Sequence, residues 1–411
     1  MRESKISKCA SLKRLFAASL LAAITVGGTF IANSARAEDG VTDNEILIGA
    51  LGPLTGATAF VGGPARDGLQ LGFEKINAQG GINGRKIKFI FEQAFSPAES
   101  VAAAKKLVED HKVFVLILAS GSTGAAAAAD YVRASGIPTY NIVGGTPIIR
   151  NPFAKNVFHG AITDASKSAE SLAELVKDKL KAPRSVGVLA GTYAFPQAEL
   201  KGVQAHLKGI ADKIDLEQFD QGARDYTSQL LAFKKQDAGA VVMLGSFSEA
   251  GFAIKQASEM GLSNLVWVLA GTAATDGIIP IISPNIPRDV WSYSFTPFLP
   301  GQKAPTMDEF NALWTKRYGA PPAGRPNLYD MIGYGSAFVL AQALNKTGPN
   351  LTRDRLIAVW STLQDAKPSN LGGIDVTYPE SFSETDHQGN KVRGQAHIVN
   401  GAWVVVPNTN H

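Results

Sequence analysis

Cysteine is nearly absent from this chain, whose 411 residues include only one, Cys9. Cys9 lies in a segment that we predict to be removed as an export signal, so the mature chain has no thiol. We therefore expect no disulfide, no cysteine metal site and no cysteine nucleophile.

Catalytic signatures are missing as well. The sequence has no G-x-S-x-G elbow, no P-loop, no H-E-x-x-H and no G-x-G-x-x-G. Its six histidines are scattered, without metal-ligand spacing. Asp386-His387 lies in a polar turn before Gly389, and we interpret it as a turn because no partner nucleophile is evident. We expect neither an enzyme nor a resident cofactor or metal ion.

The N-terminus has the pattern of a cleaved secretory signal. Five basic residues between Arg2 and Arg14 precede an apolar run from Leu15 to Ile31, and an A-x-A site ends at Ala37. The apolar run is short for a membrane span and contains two adjacent glycines. We therefore predict that residues 1–37 are a signal peptide cut after Ala37, and not an uncleaved anchor.

Removal of this signal changes the charge balance. Residues 1–37 hold six of the 40 Lys and Arg residues and one of the 36 Asp and Glu residues, which leaves a mature net charge of −1 instead of +4. Charge thus gives no reason to expect a nucleic-acid partner. No second hydrophobic run is long enough to span a membrane, so we expect the mature protein to be soluble and exported.

The stretch from Val113 to Pro147 indicates a βαβ unit. An apolar run that reads as a buried strand leads into the small polar turn 120–124, and an Ala-rich helix ends at Gly136. A second short strand ends in the turn Gly144-Gly145-Thr146. We expect both turns to offer free backbone N–H groups and a hydroxyl to a carboxylate. Ser120 and Ser122 would then bind a ligand, or simply cap the helix that follows.

Strands and helices alternate along most of the chain, which indicates two doubly wound α/β lobes in tandem. The last part has too few strands for a third domain, so we expect it to return and complete both lobes. The predicted lobe I comprises residues 41–160 and 293–362. The predicted lobe II comprises residues 161–292 and 363–411, and a multi-strand hinge joins the lobes.

Four aromatic residues each follow a predicted strand in a loop: Phe60, Tyr193, Phe195 and Phe247. A single loop aromatic often serves only local packing. Four of them at corresponding strand ends favour an aromatic-lined ligand pocket.

These features together resemble the periplasmic substrate-binding proteins of branched-chain amino acid-type ABC transporters, which have the type I periplasmic binding fold. The resemblance covers nearly the whole mature chain, and it is carried by ILIGALGPLTG (46–56), GLQLGFEKINAQGGINGRKI (68–87), the SGST turn (120–123), GIP and GGTP (136–147) and Tyr329-Asp330. It implies two lobes, joined by three crossing strands, that close on a solute. It also implies a membrane permease as the partner to which the protein delivers its solute. A monomer is sufficient for that delivery.

The same resemblance implies ligand contacts. Ser120 falls on the family's carboxylate-binding serine, and residues Gly144, Gly145 and Thr146 fall on contacts to the same head group. In lobe II, the resemblance places ligand contacts at Phe195, at Ser246 or Phe247, and at Gly271 and Thr272.

One position departs from the family pattern. Leucine-type members have a glutamate at the position of Ala270, where it pairs with the ligand ammonium. An unpaired ammonium in a closed cleft would be unfavourable. We therefore hypothesise an aromatic or aliphatic organic acid that lacks an α-amino group. The alternatives are an amino acid, with Asp276, Glu249 or another carboxylate as its ammonium partner, and a ligand sensor of the same fold.

Overall fold

The computed structural model describes residues 38–56, 58–162, 164–180 and 185–406. The predicted signal peptide, its cleavage site and Cys9 lie outside the described residues. From Glu45 onward the chain builds two sheets, and each is the centre of one α/β lobe. The expected doubly wound, two-lobed fold class is confirmed.

The sheet of lobe I has five parallel strands in the order β2-β1-β3-β4-β5. They are β1 (Glu45–Gly52), β2 (Lys86–Gln93), β3 (Val115–Leu118), β4 (Thr139–Asn141) and β5 (Val157–His159). Strand β3 is the apolar run VLIL and is buried on both faces, as a central parallel strand requires. The strand order reverses between β1 and β3, and open α/β sheets bind ligands at such a switch point.

The sheet of lobe II has seven strands in the order β12-β11-β10-β9-β8-β6-β7. They are β6 (Ser185–Gly191), β7 (Lys213–Phe219), β8 (Ala238–Leu244), β9 (Val266–Leu269), β10 (Val290–Ser294), β11 (Gly394–Val399) and β12 (Ala402–Val406). Strands β6 to β10 are parallel and repeat the order of lobe I, with the switch point between β6 and β8. The last two strands pair antiparallel at one edge.

Helices connect the strands and cover the sheets. They are α1 (Ala59–Ala78), α2 (Pro97–Lys105), α3 (Gly121–Ser135), α4 (Ala165–Lys179), α5 (Ala194–Leu207), α6 (Thr227–Lys235), α7 (Phe247–Glu259), α8 (Ile279–Ile282), α9 (Pro305–Tyr318), α10 (Leu328–Thr347) and α11 (Arg353–Trp360). Helix α3 ends at Gly136, whose φ of +68° is the left-handed conformation that glycine adopts without strain.

Helices α1 and α10 pack backbone against backbone. A Cβ atom at Gly68 would lie 2.1 Å from the carbonyl oxygen of Asp330, and one at Gly333 would lie 2.3 Å from that of Ala65. Glycine is therefore required at both positions, and this close contact holds the first turns of α10 against the middle of α1 on lobe I.

The chain crosses between the two sheets three times. The first crossing joins β5 to α4, the second joins β10 to α9, and the third leads from a bridge between His159 and Gln388 into β11. Asn390 in the third crossing is fully buried. Its side-chain amide donates to the carbonyl oxygens of Ala161, at 2.7 Å, and of Phe295, at 3.1 Å. One amide thus joins all three crossings.

Residues 380–382 contact strands of lobe I, and these contacts change where we place the lobe boundaries. Glu380 accepts a hydrogen bond from the hydroxyl of Tyr140 in β4, and the ring of Phe382 packs against Phe158 in β5. Strand β10, in turn, belongs wholly to the lobe II sheet. We therefore propose different bounds from those expected from the sequence: residues 363–388 go with lobe I, and residues 293–294 go with lobe II.

No helix in the described part of the chain is both long enough and apolar enough to cross a membrane.

Candidate functional site

A cavity of about 420 Å³ lies between the lobes, at the carboxyl ends of both parallel sheets. We call it the interlobe cavity. Lobe I lines it with Pro53, Thr58, Phe60, Val61, Phe95, Ser96, Pro97, the turn 120–124, Val143 and Tyr329. Lobe II lines it with Tyr193, Phe195, Gln221, Gly222, Ser246, Ser248, Glu249 and Thr272. Nearly all of these residues follow one of the strands β1–β4 or β6–β9, so the two switch points face each other across one space.

Ser120 precedes the first turn of helix α3 and lines the interlobe cavity. Its side chain makes no capping hydrogen bond, and its Oγ is buried without a partner among the described residues. The first N–H groups of a helix have no acceptor within the helix and carry partial positive charge. This turn therefore combines an unpaired hydroxyl with unsatisfied N–H donors, which is the donor set that a carboxylate needs.

Gly124 makes room for the Ser120 side chain. A Cβ atom at Gly124 would lie 2.6 Å from both the Cβ and the Oγ of Ser120, and 2.6 Å from the Oγ of Ser100. The serine thus lies directly over the first turn of α3, where any larger residue at position 124 would displace it.

The second glycine turn of lobe I differs from the expectation. The N–H of Gly144 donates to Asn141 Oδ1 at 3.2 Å, and the N–H of Gly145 donates to Ser122 Oγ at 3.0 Å. These two donors are not free, because side chains from the preceding strand and from α3 already occupy them. Gly144, Gly145 and the buried Thr146 are absent from the lining of the interlobe cavity. The turn therefore contacts the site indirectly: its Gly145 N–H holds the side chain of Ser122, which lines the interlobe cavity.

In lobe II the turn after β8 is satisfied by a carboxylate of the protein. Ser246 and Glu249 form a capping box at the start of α7, in which Glu249 Oε2 accepts from the N–H of Ser246 at 2.8 Å and from its hydroxyl at 3.0 Å. The same oxygen accepts from the Tyr193 hydroxyl at 2.7 Å, and Oε1 accepts from the N–H of Gly222 at 2.8 Å. Burial, together with the nearby charge of Glu249 and the hydrogen bond to it, raises the pKa of Tyr193, so this hydroxyl stays protonated.

Aromatic rings from the two lobes meet at one side of the cavity. The rings of Phe60 and Phe247 are perpendicular, with centroids 5.5 Å apart, and Tyr329 lies 6.0 Å from Phe60. Phe60 and Tyr329 also line a second cavity, of about 650 Å³, and Phe247 lines only this second cavity. The three rings therefore stand between the two cavities.

The structure brings six of the eleven sequence-predicted site residues to the interlobe cavity: Phe60, Ser120, Tyr193, Phe195, Ser246 and Thr272. Phe247 lies in the second cavity, and Gly271 is buried under the ring of Tyr293. The sequence analysis missed Phe95, Gln221 and Tyr329 as lining residues. Phe95 and Gln221 follow β2 and β7, so the rule that predicted the other loop aromatics would have pointed to these strand ends as well.

Charge in the interlobe cavity is confined to one group. Glu249 is the only Asp, Glu, Lys, Arg or His among the described lining residues. Ala270 is fully buried and does not line the cavity. The described residues also contain no group of three or more His, Cys, Asp or Glu side chains that could hold a metal ion.

Comparison with known proteins agrees with this architecture. A family model described as periplasmic binding protein matches residues 45–398. The leucine-, isoleucine-, valine-, threonine- and alanine-binding protein of Pseudomonas aeruginosa is 25% identical over 397 residues, which span 92% of this chain and 96% of that protein.

Solved structures show the same fold. A fatty acid ABC transporter substrate-binding protein from Thermomonospora curvata superposes with a TM-score of 0.75 at 19% identity, over 90% of this chain and 92% of that one. A solute-binding protein of an ABC transporter from Rhodopseudomonas palustris, in complex with 3,4-dihydroxybenzoic acid, gives a TM-score of 0.74 at 20% identity, over 89% and 97% of the two chains.

Since the family model covers most of the chain and the two-lobed fold agrees with it, this protein belongs to the periplasmic binding proteins, a family of binding proteins and not of enzymes, and it has the type I fold.

Proposed function

We propose that this protein is an extracytoplasmic solute-binding protein that captures a small organic acid without an α-amino group and delivers it to the permease of an ABC transporter. The observation that carries the proposal is the unpaired Ser120 hydroxyl at the N-terminus of α3, inside a cavity where Glu249, the one charged side chain among the described lining residues, already accepts four hydrogen bonds from the protein.

The acid end of the solute is assigned to the turn 120–124. A buried hydroxyl without a partner is unfavourable by about 1–3 kcal/mol, and a ligand oxygen would remove that penalty. The partial positive charge at the N-terminus of a 15-residue helix favours an anion at the same point. Both effects favour a carboxylate at this turn over a neutral group.

Among the described lining residues of this cavity, the only carboxylate that could pair with an α-ammonium group is that of Glu249. Glu249 accepts four hydrogen bonds, from the Tyr193 hydroxyl, the Gly222 N–H, and the N–H and hydroxyl of Ser246. Three of these donors share Oε2 and one binds Oε1, so an incoming ammonium would have either to displace a donor from Oε2 or to share Oε1 with the Gly222 N–H. Asp276, another sequence-level candidate for the ammonium partner, does not line this cavity.

The remaining walls favour an apolar, and particularly an aromatic, body. Rings or aliphatic side chains come from Phe60, Val61, Phe95, Val143, Phe195 and Tyr329. A cavity of about 420 Å³ lies within the usual range for small-molecule sites, which are mostly apolar with a few orienting polar groups. The relatives support both ligand classes, since one structure holds 3,4-dihydroxybenzoic acid and one relative is named for amino acids. The four protein donors that Glu249 already binds favour the aromatic acid.

Export and the transport partner follow from the family and the N-terminal pattern. A signal peptide cut after Ala37 would place the mature protein in the periplasm, where a monomer can carry its solute to the permease. Native mass spectrometry of protein purified from its exported form would test the cut and identify any solute that is retained. A mass that still includes residues 1–37 would contradict the proposed cleavage.

Calorimetric titration tests the solute class. We expect benzoate and hydroxybenzoates to bind the mature protein, and leucine to bind far more weakly. Ser120→Ala should weaken acid binding about 10- to 100-fold, because hydrogen bonds to charged groups contribute about 1.5–3 kcal/mol. Ser263→Ala, at an exposed position, is the matched control and should bind like the wild type. Tight binding of leucine alone, or acid binding that is insensitive to Ser120→Ala, would refute the proposal.

A further inference from the structure

The second cavity has a chemistry of its own. It lies between the lobes, beyond the Phe60–Phe247 ring pair, and has a volume of about 650 Å³. Besides the rings of Phe60, Phe247 and Tyr329, it is lined by charged side chains: Arg66, Asp67, Asp276 and Arg325. Both sheets contribute through their loops, and the second crossing contributes Pro300 and Gly301.

The charges of this cavity do not cancel. Arg325 forms ion pairs with Asp67, at 2.7 Å, and with the fully buried Asp330, at 2.6 Å. Arg66 also pairs with Asp67, at 2.7 Å. Two guanidinium groups are thus shared by two carboxylates, and the charge of Asp276 remains. Within the described residues, Asp276 has neither an ion pair nor a side-chain hydrogen bond.

Asp276 is held in a defined place. A Cβ atom at Gly301 would lie 1.8 Å from its Oδ2, so the carboxylate packs directly on the glycine backbone. Burial raises the pKa of Asp276 to about 6, with no cation to oppose this shift. The group is therefore still mostly ionised at pH 7, and a partly buried anion without a partner favours an incoming cation.

We propose that the second cavity binds an organic ammonium group, with Asp276 as its anionic partner and the rings of Phe60, Phe247 and Tyr329 as its walls. A carboxylate beside aromatic rings is the combination that recognises alkylammonium groups, because the carboxylate neutralises the charge and the ring faces attract the cation and cover its apolar part. This proposal goes beyond the organic-acid site at Ser120 and does not depend on it.

The ammonium could come from two sources. It could belong to a separate amine, or it could be the distal end of a long solute whose carboxylate lies at Ser120. Phe60 and Tyr329 line both cavities, so a flexible chain would have to pass between the same rings that separate them.

Calorimetry with hexylammonium, 6-aminohexanoate and hexanoate tests the site on the mature full-length protein. We expect hexylammonium to bind the wild type and to bind Asp276→Asn at least tenfold more weakly. Asp212→Asn removes one negative charge at an exposed position and should leave hexylammonium binding unchanged. Phe247→Leu keeps an apolar side chain but removes the ring, and should weaken hexylammonium binding severalfold. Thermal unfolding verifies that each variant is folded.

The outcomes separate the two sources and both proposals. Simultaneous binding of benzoate and hexylammonium supports a separate amine. Tighter binding of 6-aminohexanoate than of hexylammonium, with the gain lost in Ser120→Ala, supports one long solute. Absence of hexylammonium binding to the wild type, or equal binding to Asp276→Asn, overturns the ammonium site. Loss of benzoate binding alone bears only on the organic-acid proposal.

Discussion

The two lobes use the same turn in opposite ways. Ser120 follows β3 in lobe I and Ser246 follows β8 in lobe II, and these strands hold corresponding places in the repeated strand order. Ser246 has its capping box, completed by the carboxylate of Glu249. Ser120 has no capping partner, and its hydroxyl is unpaired. Lobe II thus supplies the acceptor for its serine from its own sequence, and we propose that in lobe I a ligand carboxylate takes that place.

The residue four positions later shows the same contrast. Lobe II has the buried Ala250 there, whereas lobe I has Gly124, over which the Ser120 side chain lies. Since the strand order is the same in both sheets, the difference lies in the turns. It teaches that one scaffold can give a turn whose serine is capped within the protein and a turn whose serine hydroxyl is unpaired, by exchange of a few residues.

The largest effect is expected when the capped turn of lobe II is broken. Glu249→Ala leaves the Tyr193 hydroxyl and the N–H groups of Gly222 and Ser246 without their acceptor. Water can satisfy the exposed Gly222 N–H, but Tyr193 and Ser246 are half-buried, so the loss of their shared acceptor should lower the free energy of unfolding in urea by about 2–3 kcal/mol. Glu259→Ala, at the exposed other end of α7, should stay within about 0.5 kcal/mol of the wild type. Equal effects of the two substitutions would show that the Glu249 network contributes little to stability.

Crowding the turn of lobe I that holds the unpaired serine should have the next largest effect. Gly124→Ala places a methyl group 2.6 Å from the Cβ of Ser120, which rotation of the serine side chain cannot relieve. We expect stability to fall by about 1–3 kcal/mol, as for other overpacked sites. Acid affinity should fall more than in Ser120→Ala, because the whole turn must move. Unfolding curves and calorimetry measure the two effects, and unchanged affinity would show that the turn does not bind the acid.

A third comparison concerns two buried Glu–Tyr pairs, one in each lobe. Tyr140 donates to Glu380 Oε2 at 2.7 Å in lobe I, and Tyr293 donates to Glu199 Oε1 at 2.6 Å in lobe II. Burial raises the pKa of both Glu380 and Glu199 to about 8, so each is protonated in the folded protein at neutral pH.

Because the unfolded state releases these protons near pH 4.3, the free energy of unfolding should fall as pH rises from about 5 to 8, and level off above the folded pKa. Each glutamate contributes about 1.4 kcal/mol per pH unit to this slope. Glu380→Gln or Glu199→Gln should remove one such contribution while keeping an acceptor for the tyrosine. Urea unfolding at pH 6, 7 and 8 measures the slope, and identical slopes in wild type and variants would exclude a protonated carboxyl.

The smallest expected change in stability comes from removing a serine hydroxyl, and it compares Ser120 and Ser246 directly. Ser246→Ala removes a used N-cap and should lower the free energy of unfolding by about 1 kcal/mol. Ser120→Ala removes an unused hydroxyl and should leave stability unchanged or slightly raised, while it weakens binding of the acid. A stability loss in Ser120→Ala equal to that in Ser246→Ala would show that both serines are ordinary caps.

Strand ends were predictable from the sequence, but the partners of the loop residues were not. The sheet of lobe I, its switch point and the turns that line the interlobe cavity depend on local sequence pattern. They are predicted by the apolar run before Ser120 and by the alternation of strands and helices. The hydrogen bond from Gly145 to Ser122, and the four that Glu249 accepts, depend on long-range contacts that no local pattern records. Phe247 was predicted as a site residue and Asp276 as an alternative ammonium partner, and both line the second cavity instead of the interlobe cavity.

The buried amide of Asn390 has a mechanical consequence. It binds one carbonyl oxygen in the first crossing and one in the second, so these segments cannot slide past each other without breaking a hydrogen bond in a dry interior. Rotation about that point can leave both bonds intact. We therefore expect the cleft to open and close by rotation of the lobes about Asn390 and not by sliding, so that the distance between the lobe tips would report whether the cleft is occupied.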